Sequence, residues 1–288
     1  MSGHEPTKPA APPYFIEAEE AESLLGGDNV VVVDLTRPEV HAQLHLPGAQ
    51  PLEYGLLLGG VKPAVGLLPD LDRLNQLMAT LGIGPGSRVI AYDDEGGGRA
   101  ARLAWTLHVM GFFNVSVIDG GIHAWANEGH RVTAEPAVAN APGSFSVDEI
   151  DGAALAVKDF VLARVEDGAA QLFDSRTLPE YTGERAVAQR GGHIPGAINL
   201  NWQDTMDTSR NLRLKDAATL EAMLSELGFD PANEVITYCQ THHRSAHSYL
   251  MLRHLGFAKV RGYAGAWAEW GNDPSLPVAT GPEPGGLA

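Results

Sequence analysis

The strongest constraint on this chain is that it contains itself twice. Residues 31–49 read VVVDLTRPEVHAQLHLPGA and residues 172–202 read LFDSRTLPEYTGERAVAQRGGHIPGAINLNW. Each has an apolar run, Asp, Arg, Pro-Glu, and then His-(Leu/Ile)-Pro-Gly-Ala. The match resumes further on. Residues 87–129 read SRVIAYDDEGGGRAARLAWTLHVMGFFNVSVIDGGIHAWANEG, and residues 233–272 read NEVITYCQTHHRSAHSYLMLRHLGFAKVRGYAGAWAEWGN. The repeat is far too long for a solenoid unit, so the copies are duplicated domains. The expected division is 14–132, a linker over the Ala- and Pro-rich stretch 133–146, and 147–279.

Each copy alternates short apolar runs with helical spacing. Strands are expected at 30–34, 88–92 and 115–119, with counterparts at 172–173, 234–238 and 259–262. Matched helices are expected at 70–81 and 217–227, and at 99–110 and 245–255, the latter two closed by Gly111 and Gly256. Such alternation predicts an α/β fold in each half, an open, mostly parallel sheet flanked by helices. Ligands of such sheets bind beyond the carboxyl ends of the strands.

Cys239, the only cysteine, falls at one of those ends. A lone cysteine ordinarily serves as a small buried hydrophobe. Here it follows the strand 234–238 and opens the loop Gln240, Thr241, His242, His243, Arg244, with a helix expected from Ser245. Loop amides, a helix N-terminus and Arg244 all favour a thiolate and hold an anion above it. That is the setting of a nucleophile. The first copy has Asp93 at this place, which cannot do thiol chemistry, so only the second half is expected to react. An aspartate there also implies an exposed strand end, since a lone buried carboxylate is costly. His242 and His243 are expected at the pocket mouth, and His247 and His254 on a helix surface. Zinc held by Cys239 and histidines 242, 243 and 247 is disfavoured by irregular spacing and the adjacent arginine. The Gly96–Gly98 run lacks the Lys-Ser/Thr of a phosphate-binding loop.

The duplicated HLPGA and HIPGA segments and VRGYAGAWAEW at 260–270 resemble the motifs of two-domain rhodanese sulfurtransferases, and the resemblance covers nearly the whole chain beyond the N-terminal tail. It implies two tandem rhodanese-like domains, the first inactive, and a catalytic cysteine, Cys239, opening the active-site loop. Gln240, Thr241, His242, His243, Arg244 and Ser245 then line the substrate site, in a CQTHHR form that resembles a less common bacterial type. The implied reaction moves a sulfane sulfur from thiosulfate to cyanide or a thiol through a Cys239 persulfide, with no cofactor. Donors of the 3-mercaptopyruvate type are the alternative. Glu180 falls near where the family carries a substrate-binding arginine, with Arg185 and Arg190 as nearby substitutes. Asp174 and Arg176 are candidates for a supporting ion pair, and Trp202 for a cleft wall. A cysteine phosphatase or arsenate reductase is a weaker alternative, because only four residues separate Cys239 from Arg244. A non-enzymatic sulfur carrier is a further one.

Charge narrows the partners. Lys plus Arg is 20 against 36 Asp plus Glu, a formal charge of −16, which argues against nucleic acid. A small anionic donor must therefore be held by a local positive pocket. A single cysteine excludes a disulfide framework and fits a reducing compartment. No run approaches the ~20 apolar residues of a membrane span, and no signal peptide is evident. The reading is a cytoplasmic, monomeric, soluble protein with a disordered N-terminal tail.

Overall fold

A computed structural model describes residues 12–286; most of the N-terminal tail lies outside the described residues. In the first copy the strands are β1 (Phe15–Ile16), β2 (Val30–Asp34), β3 (Gln50–Pro51), β4 (Arg88–Tyr92) and β5 (Val115–Ile118). Its helices are α1 (Ala18–Leu24), α2 (Pro38–Gln43), α3 (Leu71–Leu81), α4 (Gly98–Val109) and α5 (Gly121–Asn127). The second copy has β6 (Leu155–Ala156), β7 (Ala170–Asp174) and β8 (Ala197–Asn199). A small hairpin follows, β9 (Met206–Asp207) and β10 (Arg213–Leu214), and then β11 (Glu234–Tyr238) and β12 (Val260–Tyr263). Its helices are α6 (Lys158–Asp167), α7 (Leu178–Thr182), α8 (Ala217–Glu226), α9 (Arg244–His254) and α10 (Ala266–Trp270).

The strand orders are β1-β5-β4-β2-β3 and β6-β12-β11-β7-β8. Both five-stranded sheets are parallel throughout, the same topology twice. The central strands β4 and β11 carry Asp93 and Cys239 immediately beyond their carboxyl ends, at the crevice where parallel sheets bind ligands.

The two HxPGA segments build the same turn. Gly48 and Gly196 have φ of +78° and +82°, which glycine adopts without a Cβ penalty. The N–H of Leu46 donates to the Tyr92 hydroxyl at 3.1 Å, and that of Ile194 to the Tyr238 hydroxyl at 3.2 Å. Each turn is thereby tied to the strand leading to its loop. Trp125 and Trp267 are fully buried in matched places.

The copies share a core. Helix α4 is buried from Ala100 to Val109, its polar residues Arg102, Thr106 and His108 included, because one side faces its own sheet and the other meets α9. The interface is polar at its rim. Arg213 bridges Glu17 at 2.8 Å and Glu128, and the Leu214 N–H donates to Asp119 at 2.9 Å; inside the shared core, His108 Nδ1 meets the Tyr249 hydroxyl at 3.0 Å. Among the described residues no helix is long and apolar enough to cross a membrane.

Candidate active site

Strand β11 ends at Tyr238, and the four residues between Cys239 and Arg244 arch over to the start of α9. Inside that arch the Cys239 sulfur is met by the N–H groups of Thr241 and Ser245 and by the Ser245 hydroxyl. Burial would push the thiol up, but Arg244 and these donors bring it down to about 7. A far larger share of it is then thiolate at neutral pH than for an ordinary thiol. The Ser245 hydroxyl also meets His242 Nδ1 at 2.7 Å. When the hydroxyl turns its proton to the thiolate, Nδ1 must carry the proton that serviced the oxygen. Burial, with Arg102 and His243 nearby, holds His242 far below the usual imidazole value, which fits that neutral tautomer.

Arg244 is gripped by Glu180 through two bonds, 2.7 and 2.9 Å. Glu180 also closes the capping box of α7 with Thr177. Burial would raise its carboxyl, but Arg244 holds it at about 2. Where an extra cation is expected, this chain therefore places an anion that partly neutralises Arg244.

Asp93 and Cys239 are both fully buried, which corrects the expectation of an exposed strand end. The Asp93 carboxylate is not alone. It accepts from the N–H groups of Glu95 (3.0 Å), Gly97 (2.8 Å), Arg99 (2.8 Å) and Ala100 (3.0 Å). Those donors offset part of its desolvation, although burial first, and Glu95 after it, still leave the carboxyl above its ordinary value. The first copy's anion cradle is occupied by its own side chain. The glycine run has a second reason. A Cβ on Gly98 would meet His243 Nε2 at 2.8 Å and Trp202 at 3.1 Å, and one on Gly96 would meet Met206 Sδ at 2.5 Å. The second copy packs directly on this bare loop.

The histidines depart most from expectation. His242 is fully buried with φ +53°, its ring edge-on to Trp105 at 4.3 Å. It points under the loop, not out of the mouth, because α4 offers an aromatic seat there. His243 pairs with Glu95 of the first copy and lies near Tyr54 and Trp202. His247 is buried against Phe15 and Trp202 with both ring nitrogens unpartnered. Burial takes it to about 4, so it is a neutral core ring rather than a surface one. His254 is exposed.

The other candidates divide. Asp174 and Arg176 form a fully buried pair, at 2.5 Å, with Arg176 stacked over Trp267 and bonded to the Gly192 carbonyl. This arrangement braces the fold. Arg190 is not a substitute cation, since its fork is held by the carbonyls of Trp270, Asp273 and Leu276. Arg185 is exposed, in the segment whose Val187 carbonyl accepts from the Gln240 amide at 3.3 Å. Trp202 lines the junction between the copies. No group of three His, Cys, Asp or Glu converges as a metal site among the described residues. Sequence reasoning missed Tyr54, Glu95 and Arg102. Arg102 left one signal, a lone charge inside the apolar run AARLAWTLHV.

With this geometry in view, the comparisons with known proteins are decisive. The rhodanese-like domain matches residues 17–128 and again 158–273. The chain belongs to the rhodanese family. It is 39% identical over 270 residues to a thiosulfate sulfurtransferase of Azotobacter vinelandii, covering 93% of this chain and 98% of that one. It is 38% identical to a thiosulfate sulfurtransferase of Pseudomonas aeruginosa, over 92% and 97% of the two chains. Among solved structures, the SseA 3-mercaptopyruvate sulfurtransferase of Escherichia coli superposes with a TM-score of 0.79 at 25% identity, over 89% of this chain and 99% of that one. The fold is shared more distantly with EanB in complex with ergothioneine, TM-score 0.83 at 21% identity, over 93% of this chain and 70% of that one.

Proposed function

We propose that this rhodanese is a thiosulfate sulfurtransferase whose sulfur carrier is Cys239, with 14–132 as the inactive domain, 133–146 as the connection and 147–279 as the catalytic domain. The Cys239 thiolate attacks the outer sulfur of thiosulfate. The new S–S bond forms as the donor's S–S bond breaks, and sulfite leaves with the electron pair. The enzyme is left as Cys239–S–S⁻. Cyanide or a thiolate then attacks the outer sulfur and regenerates the Cys239 thiolate. The N–H groups of Thr241 and Ser245 hold the charge of the outer sulfur, where buried donors are most effective. Arg244 attracts the donor, and Gln240 and Arg185 form the rim.

The observation that carries this reading is the thiol brought to about 7 inside an arch of N–H groups with Arg244 beside it, while the first copy fills the same arch with a carboxylate. The arch spans four residues between Cys239 and Arg244, a size suited to one sulfur rather than a phosphoryl group. Intact mass gives the test. Thiosulfate should add one sulfur atom to the wild type, cyanide should remove it, and Cys239→Ala should gain nothing. A Cys239→Ala protein that still turned over thiosulfate would end the assignment. Comparing kcat/KM for thiosulfate and 3-mercaptopyruvate decides the donor.

A further inference from the structure

Arg102 lies in the middle of α4, in the copy that lacks the cysteine, and the reaction above gives it no part. It is fully buried, and among the described residues no carboxylate pairs with it. Its guanidinium donates instead to three carbonyls: His242 at 3.2 Å, Leu57 at 3.2 Å and Gly66 at 2.7 Å. Nε finds no partner, and the group lies over the Trp105 ring at 4.6 Å. A buried charge answered by carbonyl dipoles and an aromatic face, with no counter-ion paired to it, is a costly arrangement.

Two ionisable groups act on it favourably, Tyr54 and Cys239; burial nevertheless lowers the guanidinium to about 10. Burial holds the Tyr54 hydroxyl above its ordinary range, so Tyr54 is neutral near pH 7. Cys239 is the one of the two that carries negative charge there. Arg244, gripped by Glu180, also acts on the sulfur, and His243 pairs with Glu95 at the junction.

The contacts also shape the loop. A Cβ on Gly66 would meet the Thr241 carbonyl at 2.4 Å and that of Ala264 at 2.7 Å, so the first copy's backbone lies directly against the arch. Arg102 ties this backbone to the His242 carbonyl. A trans peptide points its N–H opposite to its C=O, so the same bond sets the direction of the His243 N–H. His242 is in the left-handed region at φ +53°, a conformation a histidine keeps only where its surroundings enforce it.

We propose that Arg102, contributed by the inactive copy, is a positioning residue for sulfur transfer: it fixes the middle of the catalytic loop and supplies a second buried positive charge that favours the anionic sulfur on Cys239. This rests on Cys239 being the sulfur carrier, yet its test does not need turnover. Cys239 is the only cysteine, so thiolate absorbance of the full chain, with Cys239→Ser as the blank, reports its ionisation alone. In Arg102→Gln, which keeps N–H donors but not the charge, the midpoint should rise by a few tenths of a pH unit, less than loss of Arg244, the larger influence on the sulfur, would raise it. Arg102→Lys, which keeps the charge but not the fork, should fall between that and the wild type. kcat for thiosulfate should drop several-fold in Arg102→Gln and recover in part in Arg102→Lys. A folded Arg102→Gln with the wild-type midpoint overturns the proposal. Should Arg102→Gln not fold, Arg102→Lys decides: a midpoint and kcat equal to the wild type overturn it. If the wild type took up no sulfur from thiosulfate, the assigned reaction would fail, while the thiol titration would still decide the coupling.

Discussion

At the scale of single residues, the two loop-opening side chains solve one problem in opposite ways. Cys239 presents the thiol proposed to react, and Asp93 a carboxyl group that fills the cradle permanently. The thiol has a folded value of about 7 against an ordinary value of 9.0. An acid with a depressed folded pKa stabilises the fold fully above its unfolded value, and that contribution disappears as pH falls through the folded one. The melting temperature of the wild type, less that of Cys239→Ser, should therefore widen between about pH 7 and 9; a constant difference would contradict the thiolate assignment. Sulfur uptake from thiosulfate should climb over the same lower limb, through about pH 7. Asp93→Ala removes the acceptor of four N–H groups. It should cost ~3 kcal/mol or more in denaturant unfolding, while Cys239, in the other copy, still takes up sulfur. The cysteine and the arginine were legible in the sequence because strand, thiol, loop and helix follow one another along the chain. His242 was not, since its direction is decided by Trp105, far away in sequence and across the domain junction.

At the scale of elements, α7 and α9 meet through Glu180 and Arg244, and this contact tunes the site. The arginine that should attract an anionic donor is already held by a carboxylate whose own value, lowered to about 2, keeps the pair intact over the working range. Glu180→Gln should free Arg244 and lower the KM for thiosulfate several-fold. The same change weakens the α7 capping box and should cost ~1 kcal/mol of stability. An unchanged KM would mean that the donor never depends on Arg244. The turn before β8 carries a separate prediction. A Cβ at Gly196 meets nothing within 4 Å, so Gly196→Ala tests backbone strain alone. At φ +82° it should cost about 1–2 kcal/mol, read as a lower denaturation midpoint, with Asn milder than Ala. The three central strands of each sheet and the helices α3, α4, α8 and α9 were readable from apolar runs of sufficient length, whereas the edge strands β1, β6 and β8 and the helix α6 (Lys158–Asp167) were not expected. Several short pieces, α7, β3 and β9–β10, have too few residues to show a period, and tertiary contacts define them.

At the scale of the molecule, duplication has produced two copies that differ at the loop. One carries Cys239, the proposed sulfur carrier, and the other supplies Arg102, Glu95, Gly66 and a glycine-bare loop as the wall behind it. The repeat was plain in the sequence, but the wall was not, because its residues matter through contacts made only when the two copies dock. That docking has its own titrating group. Asp119 accepts from the Leu214 N–H at 2.9 Å across the junction. Burial first, and Glu17 after it, raise Asp119 to about 7, while the Leu214 N–H, Arg213 and Arg210 oppose the rise. The folded chain then holds a proton on Asp119 that the unfolded chain, with the ordinary value of 3.8, gives up between roughly pH 4 and 7. More protons bound in the folded state make stability fall as pH rises through that window. Asp119→Asn keeps an acceptor for Leu214 but cannot ionise. Its melting temperature should therefore show a flatter decline between about pH 4 and 7 than the wild type's, and should exceed it above pH 7. The reverse order above pH 7 would mean that the charged carboxylate is the form the interface prefers, and that Arg213 and Arg210 outweigh its burial.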